Sequence, residues 1–264
     1  MFPGIQIGPL FLSSYGICAI IGIFTACPLA IHIYKKHTGD YISMVFMFML
    51  SAIGVFVGMH ILFGITNIQY WGILLNAADF FDFWKRFGLL FGGSVFYGGL
   101  IGGLIAGGIF IKIRKMPVDI ATDCGAMVIP LFHGFARIGC FFGGCCYGIE
   151  WEHGVTFTNS IVESANGVPR VPIQLIEAGF EFLLFTVIFI LLTKTNKLRG
   201  GLLGLYLLVY SVGRFVLEFW RGDEYRGRLF GLSTSQIISI LLFVGAAIFF
   251  ILRARKIHES EKSV

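Results

Sequence analysis

Arg137, Glu177, Glu181, Arg214 and Glu218 stand inside long apolar stretches. An ionised side chain at that depth costs about 3 kcal/mol or more and persists mainly where it faces a pathway, a ligand or another charge. Arg214 and Glu218 are four residues apart and Arg221 follows seven after Arg214, so the spacing puts all three on one helix face. Alone, that trio reads as a structural Arg–Glu clasp between helices. Arg137 adds a second intramembrane guanidinium, with His133 as a titratable companion, at the start of a glycine-rich run over 134–148. So many glycines are expected to break the helix and bare its backbone N–H groups. Bare N–H groups beside a guanidinium make an anion site suited to phosphate. A phosphate at membrane depth is most simply a lipid head group.

A second glycine cluster runs over 92–108, where Gly98/Gly102, Gly99/Gly103 and Gly103/Gly107 are spaced for close helix contact. It reads either as packing or as a thin wall beside a lipid cavity into which Tyr97 projects its hydroxyl. Of six cysteines, Cys18, Cys27 and Cys124 look like small buried apolar residues. Cys140, Cys145 and Cys146 form a C-x4-C-C cluster seven residues after His133. Adjacent cysteines are awkward zinc ligands and the spacing is not a standard one, so no metal is expected. A disulfide and free thiols both stay open there, with Cys145 or Cys146 as a nucleophile a further option. The chain has no Walker loop, H-E-x-x-H or G-x-S-x-G motif, and His32, His37, His153 and His258 belong to no constellation.

The elements that must position these groups follow from composition. Of 264 residues, 56% are hydrophobic and 13% charged, against roughly 25% charge in an average soluble domain. Such a chain is neither a soluble enzyme, a disordered segment nor a nucleic-acid module. At about 20 apolar residues per helical crossing, seven spans are expected, near 10–34, 41–63, 88–112, 118–140, 172–193, 201–220 and 233–252. One set of span ends carries Lys35, Lys36, Lys112, Arg114, Lys115, Lys194, Lys197, Arg199 and the basic residues after 252. The other carries fewer: Lys85, Arg86, Arg170, Arg221, Arg226 and Arg228. The richer side should be cytoplasmic. The expected fold is therefore an all-α polytopic membrane protein with seven transmembrane helices, N-terminus outside and C-terminus cytoplasmic. The net charge of +5 is then a topology signal and implies no nucleic-acid partner. The uncharged start lacks the basic n-region of a cleaved signal peptide, so none is expected. One domain over 1–264 is expected, with extracytoplasmic segments near 64–87 and 148–171. The first, with Trp71, Phe80, Phe81, Phe83 and Trp84 beside Asp79, Asp82, Lys85 and Arg86, reads as an interfacial amphipathic helix or as an aromatic belt.

Taken in order, several blocks resemble the prolipoprotein diacylglyceryl transferase family of bacterial inner membranes over nearly the whole chain. They begin with Ser14-Tyr15-Gly16, Phe96-Tyr97-Gly98-Gly99-Leu100-Ile101-Gly102-Gly103 and Arg137-Ile138-Gly139. They continue through Val171-Pro172-Ile173-Gln174-Leu175-Ile176-Glu177 and Gly204-Leu205-Tyr206-Leu207-Leu208-Val209-Tyr210. They end with Arg214-Phe215-Val216-Leu217-Glu218-Phe219-Trp220-Arg221 and Gln236. The resemblance implies a multi-pass inner-membrane enzyme with phosphatidylglycerol as donor and the lipobox cysteine of a prelipoprotein signal peptide as acceptor. The sulfur attacks the glycerol carbon bearing the phosphodiester, forming a thioether and releasing glycerol phosphate, with no metal or soluble cofactor. By analogy Arg137 and Arg214 hold the phosphate, Glu218 orients Arg214 and Tyr15 contacts the head group. Gly98, Gly99, Gly139, Cys140, Gln174, Glu177 and Arg221 would line the substrate.

Two departures from the family pattern bear on activation of the acceptor. Tyr97 stands where the family usually has histidine, and Cys140 replaces the asparagine of its Arg-x-Gly-Asn block. Cys145 also occupies a place where many relatives carry a polar or acidic residue. A tyrosine of pKa about 10 is a poorer base at neutral pH than histidine, which makes His133 the next candidate. A paralogue modifying another acceptor, and a non-catalytic lipid-binding or transport protein, stay open as alternatives.

Overall fold

The computed structural model describes residues 1–93, 95–195, 198–222, 228–229 and 231–262, with the side chains of 96, 97, 228, 229 and 256–262 outside that set. The chain forms two compact units, one of residues 1–33 and 122–264 and the other of residues 34–121.

The larger unit opens with a hairpin of β1 (Gly4–Ile7) and β2 (Leu10–Ser13), in register from Gly4 opposite Ser13 to Ile7 opposite Leu10. Helix α1 (Ser14–Thr38) therefore starts four residues later than the expected span, and the Ser13 hydroxyl accepts from the part-buried amide of Gly16 at 3.1 Å. Helices α2 (Ile42–Thr66), α3 (Gly72–Leu75), α4 (Phe80–Phe91) and α5 (Phe96–Ile113) belong to the smaller unit. The larger unit continues with α6 (Val118–Gly143), α7 (Ile173–Lys194), α8 (Leu202–Leu217) and α9 (Thr234–Lys262). Between α6 and α7, β3 (Glu150–Thr156) pairs antiparallel with β4 (Pro169–Arg170) around a small core of Tyr147, Phe157 and Ala165. A short ladder of β5 (Arg228–Leu229) and β6 (Leu232–Ser233) precedes α9.

Asp123 anchors the start of α8 from a distance. Its buried carboxylate accepts from the Leu202 amide at 2.9 Å and the Gly200 amide at 2.5 Å, two groups at the uncapped end of that helix.

The glycine run over 134–148 does not break the helix where expected. α6 continues to Gly143, so the amides of Gly134 and Gly139 stay in the helical ladder, and only Gly144, at φ +75°, turns the chain. The glycines inside α6 serve close approach instead. A Cβ on Gly139 would lie 2.7 Å from the Tyr15 Cα, and one on Gly134 would strike the Phe182 ring at 2.6 Å.

In the smaller unit the expected span over 88–112 is divided. α4 ends at Phe91, Gly92 and Gly93 lie outside it, and α5 begins at Phe96, after an extended Val95. His60 explains why the break is tolerated, because its Nδ1 lies 2.8 Å from the Phe91 carbonyl and 2.9 Å from that of Gly93. One ring nitrogen thus meets carbonyls that a helix end leaves unpaired. α4 is the amphipathic helix read from the sequence. Asp79 caps it by accepting from the Asp82 amide at 2.8 Å, and Phe80, Phe81 and Trp84 stand exposed. α2 and α5 meet along a glycine seam. A Cβ on Gly58 would collide with the Gly98 carbonyl oxygen, and one on Gly54 with that of Gly102. Backbone approach this close is how apolar helices associate without large side chains.

Among the described residues six helices are long and apolar enough to cross a membrane: α1, α2, α6, α7, α8 with the turn that follows it to Trp220, and α9. α5 is apolar but shorter, over Gly98–Ile113. The chain is a multi-pass helical membrane protein.

Candidate active site

Two helices of the larger unit present complementary pairs at four-residue spacing, which places each pair on one face. α6 carries His133 and Arg137, and α7 carries Glu177 and Glu181. His133 Nδ1 lies 2.7 Å from Glu181 Oε1, and Arg137 Nη2 donates to Glu177 Oε1 at 2.9 Å. The pairing runs in opposite chain directions, as an antiparallel helix pair requires. Glu177 and Glu181 are fully buried, so both depend on these partners.

α8 brings in the second arginine. Arg214 Nε lies 3.9 Å from the same Glu177 Oε1 that holds Arg137. Its Nη2 forms a 2.6 Å ion pair with Glu218 Oε2 and donates to the Ser235 hydroxyl, from α9, at 3.2 Å. One carboxylate oxygen therefore gathers guanidinium groups from α6 and α8. Arg137 Nε and Arg214 Nη1 are buried and have no hydrogen-bond partner among the described residues. Two such donors beside one another can take an anion's oxygens.

Arg221 does not share the helix face expected for it. α8 ends at Leu217, a 3-10 turn covers Glu218–Trp220, and Arg221 sits in a β-bridge with Gly148. The ladder leaves the helix because Ile149 donates to the Trp220 carbonyl at 2.9 Å and Gly222 to that of Tyr147 at 3.0 Å. Glu218 stays at i+4 from Arg214 all the same.

Cys140 lies one turn beyond Arg137 and is buried. The chain then folds back at Gly144, so that the Cys145 amide donates to the Cys140 carbonyl at 3.1 Å and the Cys145 thiol points to the same oxygen at 3.7 Å. Fully buried Gln174 holds this turn by donating to the Cys145 carbonyl at 2.7 Å. The three sulfurs of Cys140, Cys145 and Cys146 lie within 4.8 Å of one another, and no disulfide joins any of the six cysteines. Tyr15, half-exposed at the start of α1, is within electrostatic reach of Arg137 and of all three thiols.

The structure thus brings together Tyr15, Arg137, Gly139, Cys140, Gln174, Glu177, Arg214, Glu218 and Arg221. Gly98 and Gly99 lie in the smaller unit, where Gly98 serves the glycine seam. Tyr97 begins α5, and its side chain is outside the described residues. Sequence reasoning left out Ser235, Asp123 and His60 and put Glu181 in no role. The matched spacing of His133/Arg137 and Glu177/Glu181 was a usable signal for Glu181. Ser235 carried none.

The fold and this cluster define a multi-pass membrane protein that buries a network of arginine and glutamate side chains among its helices. The chain belongs to the prolipoprotein diacylglyceryl transferase family, whose sequence profile matches residues 4–252. It is 35% identical over 250 residues to a phosphatidylglycerol–prolipoprotein diacylglyceryl transferase of Clostridium tetani, covering 94% of this chain and 96% of that one. A protein named as transferase 2 of the same kind in Clostridium perfringens is 31% identical over 251 residues, covering 93% and 94% of the two chains. The Mannheimia succiniciproducens transferase is 30% identical over 261 residues, covering 95% and 92%.

Proposed function

We propose that this chain transfers the diacylglyceryl group of phosphatidylglycerol to the lipobox cysteine of a prelipoprotein, releasing glycerol phosphate. The observation that carries the reading is the convergence of Arg137 and Arg214 on Glu177 Oε1, with a buried donor left on each guanidinium. Fixed donors aimed at developing charge need no reorganisation during reaction, and one of them is worth about 10²–10³ in turnover.

In this reading Arg137 and Arg214 bind the phosphodiester and stabilise the charge that grows on the leaving oxygen. Glu177 and Glu218 hold the two guanidiniums in place. Tyr15, Gly139, Cys140, Gln174 and Arg221 line the head-group end. Gly98, Gly99 and Tyr97 are assigned by family resemblance alone, with the Tyr97 hydroxyl, protonated at neutral pH, as a hydrogen-bond donor to the departing group. The profile match covers both units, so we assign them to one transferase domain. α5 supplies the seventh crossing in this reading, and the basic span ends put the N-terminus outside and the C-terminus in the cytoplasm of the inner membrane.

The test is mass spectrometry of a lipobox peptide incubated with purified protein and phosphatidylglycerol. The expected result is a diacylglyceryl mass gain on the cysteine that falls about 10²–10³-fold in Arg137→Gln and in Arg214→Gln. No gain, with glycerol phosphate still released on adding cell extract, would mean a different acceptor. Silence in both would leave a binding or transport protein.

A further inference from the structure

Activation of the acceptor thiol is the step that the arginine cluster does not supply. A free thiol of pKa about 8.5 is only a few per cent thiolate at neutral pH, and Tyr97 offers no strong base there. The structure puts another device one helical turn from Arg137. Cys140, Cys145 and Cys146 hold their sulfurs within 4.8 Å of one another, and among the described residues no fourth histidine, cysteine or carboxylate joins them. Three protein ligands with an open fourth position is the arrangement of a catalytic zinc site, whereas a structural site is closed by four.

Adjacent cysteines are poor partners on a strand because successive side chains point to opposite faces. Here that objection fails for a local reason. Cys146 has φ +60°, in the left-handed region that a non-glycine residue adopts at some cost, and Gly144 before it has φ +75°. The Gln174 hydrogen bond to the Cys145 carbonyl pins the same turn. The backbone is held in a rare conformation, and the result is convergence of neighbouring thiols. Tetrahedral zinc at Zn–S about 2.3 Å needs sulfurs about 3.8 Å apart, a contraction of about 1 Å from the limit seen here. Cys140 is buried, while Cys145 and Cys146 are half-buried, so one side remains open to an incoming ligand. Arg137 and Arg221 lie within electrostatic reach of Cys146 and offset the negative charge that three thiolates and a divalent ion leave behind.

We propose that Cys140, Cys145 and Cys146 bind a zinc ion whose open position takes the acceptor thiol. This deepens the transferase reading and rests on it for the identity of that thiol. On coordination the thiol gives its proton to solvent, because a metal-bound thiol is deprotonated outright. The sulfur then attacks the glycerol carbon that bears the phosphodiester. A C–S bond forms with the sulfur's electron pair, the C–O bond breaks, and its electrons leave with glycerol phosphate beside the arginines. The neutral thioether is a weak ligand and departs, reopening the position. Nothing is oxidised or reduced.

The test begins with elemental analysis of the protein purified in detergent with its thiols reduced, where one zinc per chain is expected. Cobalt exchanged into the wild-type protein should give the sulfur-to-metal absorption of a thiolate site. A cysteine lipobox peptide should shift its visible bands and the serine peptide should not. Replacing all three cysteines by serine should abolish both signals, and the wild-type spectrum stands even where that variant folds poorly. Chelation should lower turnover about 30-fold at pH 7, with the deficit closing towards pH 9 as free thiolate accumulates. No metal retained by the reduced protein, or cobalt bands indifferent to the peptide thiol, would overturn the zinc site. Undiminished lipid transfer by metal-free protein would overturn it and leave the transferase reading standing. Cobalt bands that respond to the thiol without any diacylglyceryl gain would keep the metal site and sink the transferase reading instead.

Discussion

Glu177→Gln is the perturbation that asks most of the site as drawn. Glu177 Oε1 sits 2.9 Å from Arg137 and 3.9 Å from Arg214, in a fully buried position. At an effective dielectric of 20, those distances give about 6 and about 4 kcal/mol of gross attraction. Burying the carboxylate costs several kcal/mol in return, and glutamine keeps a carbonyl oxygen for Arg137. What the variant leaves behind is two buried guanidiniums, of which Arg214 keeps its ion pair with Glu218 while Arg137 loses its own. Breaking a buried pair in this way costs about 3–5 kcal/mol. For a chain of this size that is a fall in melting temperature of roughly 6–20 °C. Thermal ramps of detergent-solubilised protein, read by fluorescence-detected size exclusion, measure it directly. Arg137→Gln with Glu177→Gln should recover part of the loss, because it also removes the charge left alone. A Glu177→Gln protein that melts within about 2 °C of wild type would refute the shared-carboxylate account.

Three further outcomes follow from other parts of the chain. Asp123→Ala strips the start of α8 of two hydrogen bonds and should cost about 2 kcal/mol in the same melting assay, the upper end for a lost cap. Gly58→Ala drives a methyl into the backbone oxygen of Gly98, which cannot move as a side chain would. It should destabilise the α2/α5 pair by about 1–3 kcal/mol, read as faster proteolysis within residues 42–113. Tyr97→Phe should lower turnover about tenfold, the worth of one hydrogen bond, with donor binding and the pH–rate profile unchanged. A thousandfold fall with a displaced profile would make Tyr97 the base.

The helical spans were legible because lipid demands long apolar runs, and the Arg214–Glu218 pair was legible because it is local. Arg137 was visible as an isolated cost that needed an explanation. What stayed hidden depends on contacts distant in sequence or on backbone detail. Nothing near Glu177 in the chain announces that arginines 40 and 37 residues away share one of its oxygens. The division of 88–112 into α4 and α5 turns on His60, thirty-one residues upstream of the carbonyl it meets. Glycines in α6 looked like breakers because their count was read without their neighbours. Packed against Tyr15 and Phe182, they are points of contact between helices. The close approach of the Cys140, Cys145 and Cys146 sulfurs was not legible either, because spacing cannot reveal a left-handed residue.

The glycine seam between α2 and α5 has a thermal consequence. Glycine freezes no rotamers when two helices meet, and within lipid little water is released by the meeting, so the seam lacks the heat-capacity change that marks apolar burial from water. Its strength should therefore vary little with temperature. The small core of Tyr147, Phe157 and Ala165 is of the opposite kind if it faces water, since hydrophobic burial weakens on cooling. A chilled cell would then loosen the β3/β4 segment while the α2/α5 pair held.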